Sequence, residues 1–535
     1  MADELTFARK ASGLVRGLST YDAFSMGAML ILPLYGIWIS LQVGAGIFQG
    51  ANLVISTLLM AVVFGVPAVF VWGIMSASMP RSGGEYIYNS RILHPAVAMA
   101  ASFGMVTGQL YWNIYEGSWV ADPSLKILGQ YLGWSGLVNW VSTKSGTVIC
   151  AVAVWVLVFL IVAFGMRVYK YFQRPVVAIT LALTAVFGCI VLFTSKAHFT
   201  MNWNAAAARY HSLTYSQLPL AVAHAQGSAV PHTWSWGDTF GSLSVVYMFV
   251  IYAYAMAYVS GEVKRPDKAI LRANGFVVIV ACGLGVLAFA GLYHMADFKF
   301  LSATAYNDLN GGVKGYTFPY SSSFMDLTFI ASGFNRVVGV LLSLTWLLST
   351  ISILCVIMVM MQRVLFAWGM DRMGPKWFTD ISPRWASPIK TYALIAGLSA
   401  VLEVVYVLWL EGAFAGLVAA GMMVVSVFAV TAVSAIVFPY RKRAKGIWDS
   451  SPYNRLKIFG VPVITIAGVI YLAVVCVVIY FGFLDPKTRD AHAKNLIEFA
   501  IVWGLGIIWY FVWKAIGHRK IGDAMSRVYQ ELPPE

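Results

Sequence analysis

The sequence predicts an all-α polytopic membrane protein: twelve transmembrane helices, built as a 5+5 inverted repeat with interrupted helices 1 and 6, plus two appended helices. Three observations predict it. Of the 535 residues, 59% are hydrophobic and 11% charged, with a mean hydropathy of +0.74, a balance that excludes a water-soluble chain. Apolar runs of roughly 20 residues recur along its length, each long enough to cross a bilayer as a helix. Finally, 27 of the 37 Lys and Arg fall in alternate connecting segments, the asymmetry that sets membrane topology.

In chain order the spans are predicted at about 21–48, 53–79, 95–120, 146–165, 175–193, 240–260, 275–293, 337–368, 389–410, 413–438, 460–484 and 495–513. An even number places both termini on one side. The basic segments are the N-terminus, those around 81–91, 167–174, 264–272, 363–390 and 441–457, and the C-terminus. That side is therefore read as cytoplasmic in a multi-pass protein of the plasma membrane. The net charge of +14 is thereby explained without nucleic acid. The organisation read from this is a cytoplasmic N-terminus (1–20), a first five-helix repeat (21–193), an outer loop (194–239) and a second, inverted repeat (240–438). Helices 11 and 12 (439–513) and a cytoplasmic C-terminus (514–535) follow.

The first span, DAFSMGAMLILPLYGIWISLQVGAGIF, organises the rest. It is about 40 Å long at ~1.5 Å per residue, with Pro33 near its middle and Gly36 one turn on. Proline lacks a backbone N–H and clashes with the carbonyl four residues back, so a continuous helix is not expected there. Backbone groups freed at that depth must be satisfied by protein, water or ligand, and broken helices at the bilayer midplane line solute cavities. A second break is expected in the sixth span, GSLSVVYMFVIYAYAMAYVSGEVKRP, dense in small residues and tyrosines around Tyr252, Ala253 and Tyr254. The first span starts inside and the sixth outside, so units 1–5 and 6–10 read as inverted copies.

Other chemistry is sparse. Cys150, Cys189, Cys282, Cys355 and Cys476 all fall inside predicted spans, without metal-ligand spacing, and read as packing residues. No metal site, nucleophile–base pair or phosphate loop is expected, hence no enzyme and no cofactor. The N-terminus MADELTFARKASG shows no signal peptide. Two long outer loops, near 196–236 and 295–335, are expected to fold over the outer mouth. Six of the eight histidines fall on that side and read as ordinary loop residues.

Four segments resemble those of amino acid permeases of the amino acid–polyamine–organocation (APC) superfamily. Residues 80–88, PRSGGEYIY, follow the second span where that family has P-R-S-G-G-x-Y-x-Y. Residues 261–266, GEVKRP, resemble its E-E-V-K-x-P. Residues 363–388 resemble its loop after the eighth helix, with Met370-Asp371-Arg372 in place of R-D-G, and 451–462 its entry to the eleventh helix. The family places a G-x-G segment about eleven residues past an aspartate at the inner end of helix one. Counting from Asp22 lands on Pro33-Leu34-Tyr35-Gly36, whereas Gly44-Ala45-Gly46 lies a full membrane thickness away. Position is preferred over letters.

The resemblance implies a secondary active transporter moving amino acids by alternating access. The candidate substrate-binding residues are Pro33, Leu34, Tyr35, Gly36 and Ile37, at the N-terminus of the outer half-helix, which suits a carboxylate. Val250, Ile251, Tyr252, Ala253 and Tyr254 offer carbonyls to an ammonium group and tyrosines to close over the side chain. Gln109 lies a turn or two before Glu116. Gly83 and Gly84 are read as a tight turn and Glu262 and Lys264 as part of a cytoplasmic gate. Sodium coupling through Ser349 and Thr350, proton uptake at Glu116, and ion-free exchange are all left open; the lysine that proton-coupled relatives place in helix five has no counterpart in VVAITLALTAVFGCIVLF. Glu403 is read as structural. A polyamine or organic-amine carrier, and a non-transporting receptor or complex subunit on the same fold, are the alternatives.

Overall fold

The chain was studied as a computed structural model, which describes residues 14, 16–30, 33–410, 417–487, 489–521 and 529. It is helical throughout, apart from a two-residue β-hairpin pairing Lys457 with Pro462 and Ile458 with Val461. The helices used below are α1 (Thr20–Leu30), α2 (Pro33–Ile39), α3 (Leu53–Ser78), α4 (Glu85–Ile92), α5 (Pro95–Glu116) and α6 (Lys144–Ala163). They continue with α7 (Met166–Phe193), α8 (Trp236–Glu262), α9 (Pro266–Met295), α10 (Phe298–Leu309) and α11 (Arg336–Met370). The last four are α12 (Ile389–Leu410), α13 (Leu417–Val437), α14 (Val463–Gly482) and α15 (Arg489–Ile521).

Ten helical stretches among the described residues are long and apolar enough to cross a membrane, and an eleventh candidate is bent by 80° between Met423–Val437 and Lys442–Asp449. The third expected span, α5, has the length of a span with 22 residues. Its last two turns carry Gln109, Asn113 and Glu116, which dilute its hydropathy. The fifth and seventh spans begin earlier than expected. α7 starts at Met166 and runs through Pro175, so the basic segment read as a loop is its first turns. α9 starts at Pro266, a first-turn position where the missing N–H costs nothing. The long connections also contain helices, at Lys196–Tyr210, Gln217–Gln226, Phe298–Leu309 and Phe324–Ala331.

The first and sixth spans sit at the centre. Their apolar windows are 88% and 87% buried inside the protein, against 11% for Leu496–Gly517 at the periphery. α1 packs against α7, α9, α11 and the Ile251–Glu262 segment of α8. Its start is fixed by a reciprocal cap: Ser19 N–H and hydroxyl donate to the Asp22 carboxylate, and Asp22 N–H donates to Ser19 Oγ. The same carboxylate takes a two-pronged bond from Arg174 of α7 at 2.6 and 3.0 Å. The first break was expected around Pro33; Ile31 and Leu32 just before it lie outside the described residues, and Pro33–Ile39 is helical.

α8 is not a regular α-helix. A turn of α-helix (Leu243–Val246) tightens to 3₁₀ (Tyr247–Phe249), and Val250 departs to φ −123°, ψ −3°. Twelve residues of 3₁₀ helix then run from Ile251 to Glu262. So long a 3₁₀ run is uncommon, because its hydrogen bonds are poorer than those of an α-helix and residues three apart eclipse. Alanines at positions 255 and 257 reduce that crowding.

At the basic end the chain closes tightly. Gly83 and Gly84 adopt φ 116° and 56°, a left-handed turn that a side chain would strain. A Cβ on Gly83 would stand 2.4 Å from Ala367 Cβ of α11, and one on Gly84 2.9 Å from the Tyr258 ring of α8.

Candidate functional site

A small cavity of about 40 Å³ lies within the bundle, lined by α1, α2, α5, α8, α11 and α13. Tyr35, Gln109, Tyr254 and Glu116 line it. Gln109 Nε2 donates to the Tyr254 hydroxyl at 3.1 Å, so α5 and the 3₁₀ segment of α8 meet on its wall. Glu116 is 2% exposed and its Oε2 has no hydrogen-bond partner. A carboxylate at this depth is costly to bury unless it is neutral or finds a partner.

The remaining sequence candidates are distributed differently. Pro33, Leu34, Gly36, Ile37 and Val250 are buried but do not line the cavity. Gly36 faces the Phe249 ring: a Cβ there would lie 2.9 Å from Phe249 Cε1. Its smallness serves the close approach of α2 to α8, not an open space. The side chains of Ile251, Tyr252 and Ala253 lie outside the described residues. Ser349 and Thr350 are buried on α11 away from the cavity lining, and Thr350 Oγ1 has no hydrogen-bond partner. Glu403 accepts the Trp155 indole N–H at 2.6 Å, joining α12 to α6.

Leu30, Trp112, Tyr247, Met248, Ile353 and Ile357 also line the cavity. Two spacings carried a signal for them: Trp112 follows Gln109 by three residues, and Ile353 and Ile357 are four apart, each pair one helical face. Which face looked inward was not in the sequence.

Toward the end opposite the basic segments, the cavity is covered by four rings. Tyr35 and Trp38 of α2, Trp119 after α5 and Trp346 of α11 pack with centroids 4.8 to 6.4 Å apart. Above this aromatic lid opens a vestibule of about 730 Å³, which Trp38 and Trp119 also line. Asp308 of α10 faces the vestibule; burial, with Asp326 nearby, holds its carboxyl well above the usual carboxylate range.

The basic-end closure is thicker. Glu262, at the end of α8, accepts Arg363 of α11 at 2.6 and 3.0 Å, with both side chains at most 2% exposed. The sequence reading did not name Arg363 as the partner; Lys264, the other residue it placed here, is exposed, with its main-chain N–H donating to Leu18 O. Arg91 of α4 makes a second buried pair with Asp371 at 2.5 and 2.8 Å. Gly17 and Leu18 N–H groups donate to Glu262 O, drawing the N-terminal segment across the same end.

A structural likeness to the crystal structure of MhsT in complex with L-phenylalanine has a TM-score of 0.52 at 14% identity, over 86% of this chain and 98% of that one. It extends to the fold. No match is found among curated proteins. The sequence profile of the family described as amino acid permease matches residues 17–510. That match takes in the lid, the cavity and the basic-end closure, and on it the chain belongs to the amino acid permease family.

Proposed function

We propose that this transporter carries amino acids by alternating access and binds them in the central cavity between α1, α2 and α8. The observation that carries the reading is the departure of α8 at Val250 beside the cavity that Tyr247, Met248 and Tyr254 of the same helix line. In this reading the start of α2, taken as a helix N-terminus beside the cavity, favours the cargo's carboxylate. Carbonyls around Val250 favour an ammonium group, while Tyr35, Gln109 and Tyr254 contact the side chain. The family match and the phenylalanine bound to MhsT support an amino acid as cargo.

The finer architecture is part of the same proposal. Counting α5 and α13 gives twelve spans, the first ten forming two inverted five-helix units. The basic end faces the cytoplasm, with both termini there. The vestibule then faces outward, the aromatic lid is the outer gate, and the Glu262–Arg363 closure is the inner one.

Purified protein in proteoliposomes tests this. We expect accumulation of at least one labelled amino acid. In detergent, that amino acid at a hundredfold excess over its Kd stabilises the fold by about 2.7 kcal/mol. Binding without flux would make the protein a receptor; neither binding nor flux for any amino acid would remove the assignment.

Glu116 favours a second reading, an organic-amine carrier, because a buried unpartnered carboxylate on the cavity wall matches a cation. Under that reading Glu116→Gln lowers uptake of cationic amines at least tenfold, the order of a lost charge-assisted bond, while neutral amino acids are spared. Equal loss of both assigns Glu116 to ion coupling.

A further inference from the structure

Neither the cavity nor the paired charges use Glu85. It opens α4 directly after Gly83 and Gly84, whose missing side chains let α11 and the 3₁₀ segment of α8 close on this turn. Its side chain is 0% exposed. Neither carboxylate oxygen has a hydrogen bond of ordinary geometry, nor has the Tyr258 hydroxyl that α8 presents to it.

The charged and titratable groups around it come from four elements. On α4, Arg91 is bound to Asp371, and Tyr86 and Tyr88 are buried. On α11, Arg363 is held by Glu262 of α8, and α8 adds Tyr254 and Tyr258. From α3, Ser76 bonds the Tyr88 hydroxyl. Both arginines are therefore held by other carboxylates. Burial pushes the Glu85 carboxyl up from 4.5 to about 7, with Tyr258 and the Glu85 backbone N–H pulling weakly the other way.

We propose that Glu85 is a proton-binding site, occupied while the basic-end gate is shut and emptied into the adjoining water when the gate opens. The inference rests on reading that end as a gate. In the shut form an ionised Glu85 is a buried charge without a partner, so the neutral acid is the species that fits. Opening separates α8 and α11 from the glycine turn, and water then reaches the carboxylate. The O–H bond breaks, one proton passes to water, and the charge is hydrated. Shutting reverses each step.

The sign follows from proton linkage. The shut form binds the proton more tightly, so its advantage is complete below about pH 4.5, the ordinary carboxyl value, and is lost as pH rises toward 7. Over that interval each pH unit lowers the shut-to-open ratio by up to about tenfold. Acid on the basic side thus holds the gate shut.

Infrared titration of the purified full-length protein tests the site without transport. We expect a protonated-carboxyl band that disappears near neutral pH, is absent in Glu85→Gln, and moves to higher pH in Tyr258→Phe, which removes the group that lowers the value. The same band in Glu85→Gln, or an unmoved midpoint in Tyr258→Phe, overturns the proposal. In proteoliposomes, wild-type uptake varies several-fold between about pH 6 and 8 on the basic side, and Glu85→Gln is flat; an unchanged pH profile in that variant also overturns it. A wild type that transports nothing, yet shows the titrating band, removes the transport reading and leaves the proton site standing.

Discussion

Arg363→Ala lowers stability by about 3–5 kcal/mol, the cost typical of stranding one member of a buried ion pair. Glu262 is 2% exposed and takes its charged contacts from Arg363. Its main-chain carbonyl also anchors Gly17 and Leu18, so a displaced Glu262 frees the N-terminal segment as well. Arg363 in turn donates to the Tyr392 hydroxyl at 3.3 Å, and the loss therefore spreads to α12. Unfolding of the detergent-solubilised variant measures the effect. The double change Glu262→Leu with Arg363→Met removes both charges and recovers most of the stability, because the desolvation cost disappears with the pair. A single variant as stable as wild type would mean that the pair is hydrated and the basic end open.

Gly36→Leu abolishes uptake, by on the order of a hundredfold or more. Even a Cβ at this position would stand 2.9 Å from Phe249 Cε1, and the same ring lies 3.1 Å from a Cβ on Gly285 of α9. The ring is held between two glycines and has no room to retreat. A leucine therefore wedges α2 away from α8 just where Val250 leaves the helix, and overpacking of a tight core also costs about 1–3 kcal/mol. Uptake and thermal stability measured together separate the two effects. Phe249→Ala in the Gly36→Leu background restores part of the uptake if the clash is the cause. Full uptake by Gly36→Leu alone would place the moving contact elsewhere.

How far the sequence carried the structure depended on the range of the interaction involved. Apolar runs and alternating basic segments are local patterns, and they located most spans. α5 sits outside the apolar test because the residues that line the cavity, Gln109 and Glu116, are the ones that lower its hydropathy. The fifth span was expected at 175–193, whereas α7 starts at Met166 and continues through Pro175. The weaker signal of small residues and tyrosines in the sixth span coincides with 3₁₀ geometry and the Val250 departure. Long-range partners left no local trace: Glu262 and Arg363 are 101 positions apart, and nothing in GEVKRP names α11. Gly36 shows the same limit. The sequence offered it as a binding residue at the start of the outer half-helix, whereas its close approach to Phe249 needed the packing of two helices.

The central claim is that cargo sits where the first and sixth spans meet. A density map of the purified protein with a transported amino acid bound tests it most directly. The account predicts the ligand among Tyr35, Gln109 and Tyr254, beneath the Tyr35–Trp38–Trp119–Trp346 lid, with the helix still leaving regular geometry at Val250. A ligand bound outside that cavity, or α8 running as an unbroken α-helix through Val250, would contradict it.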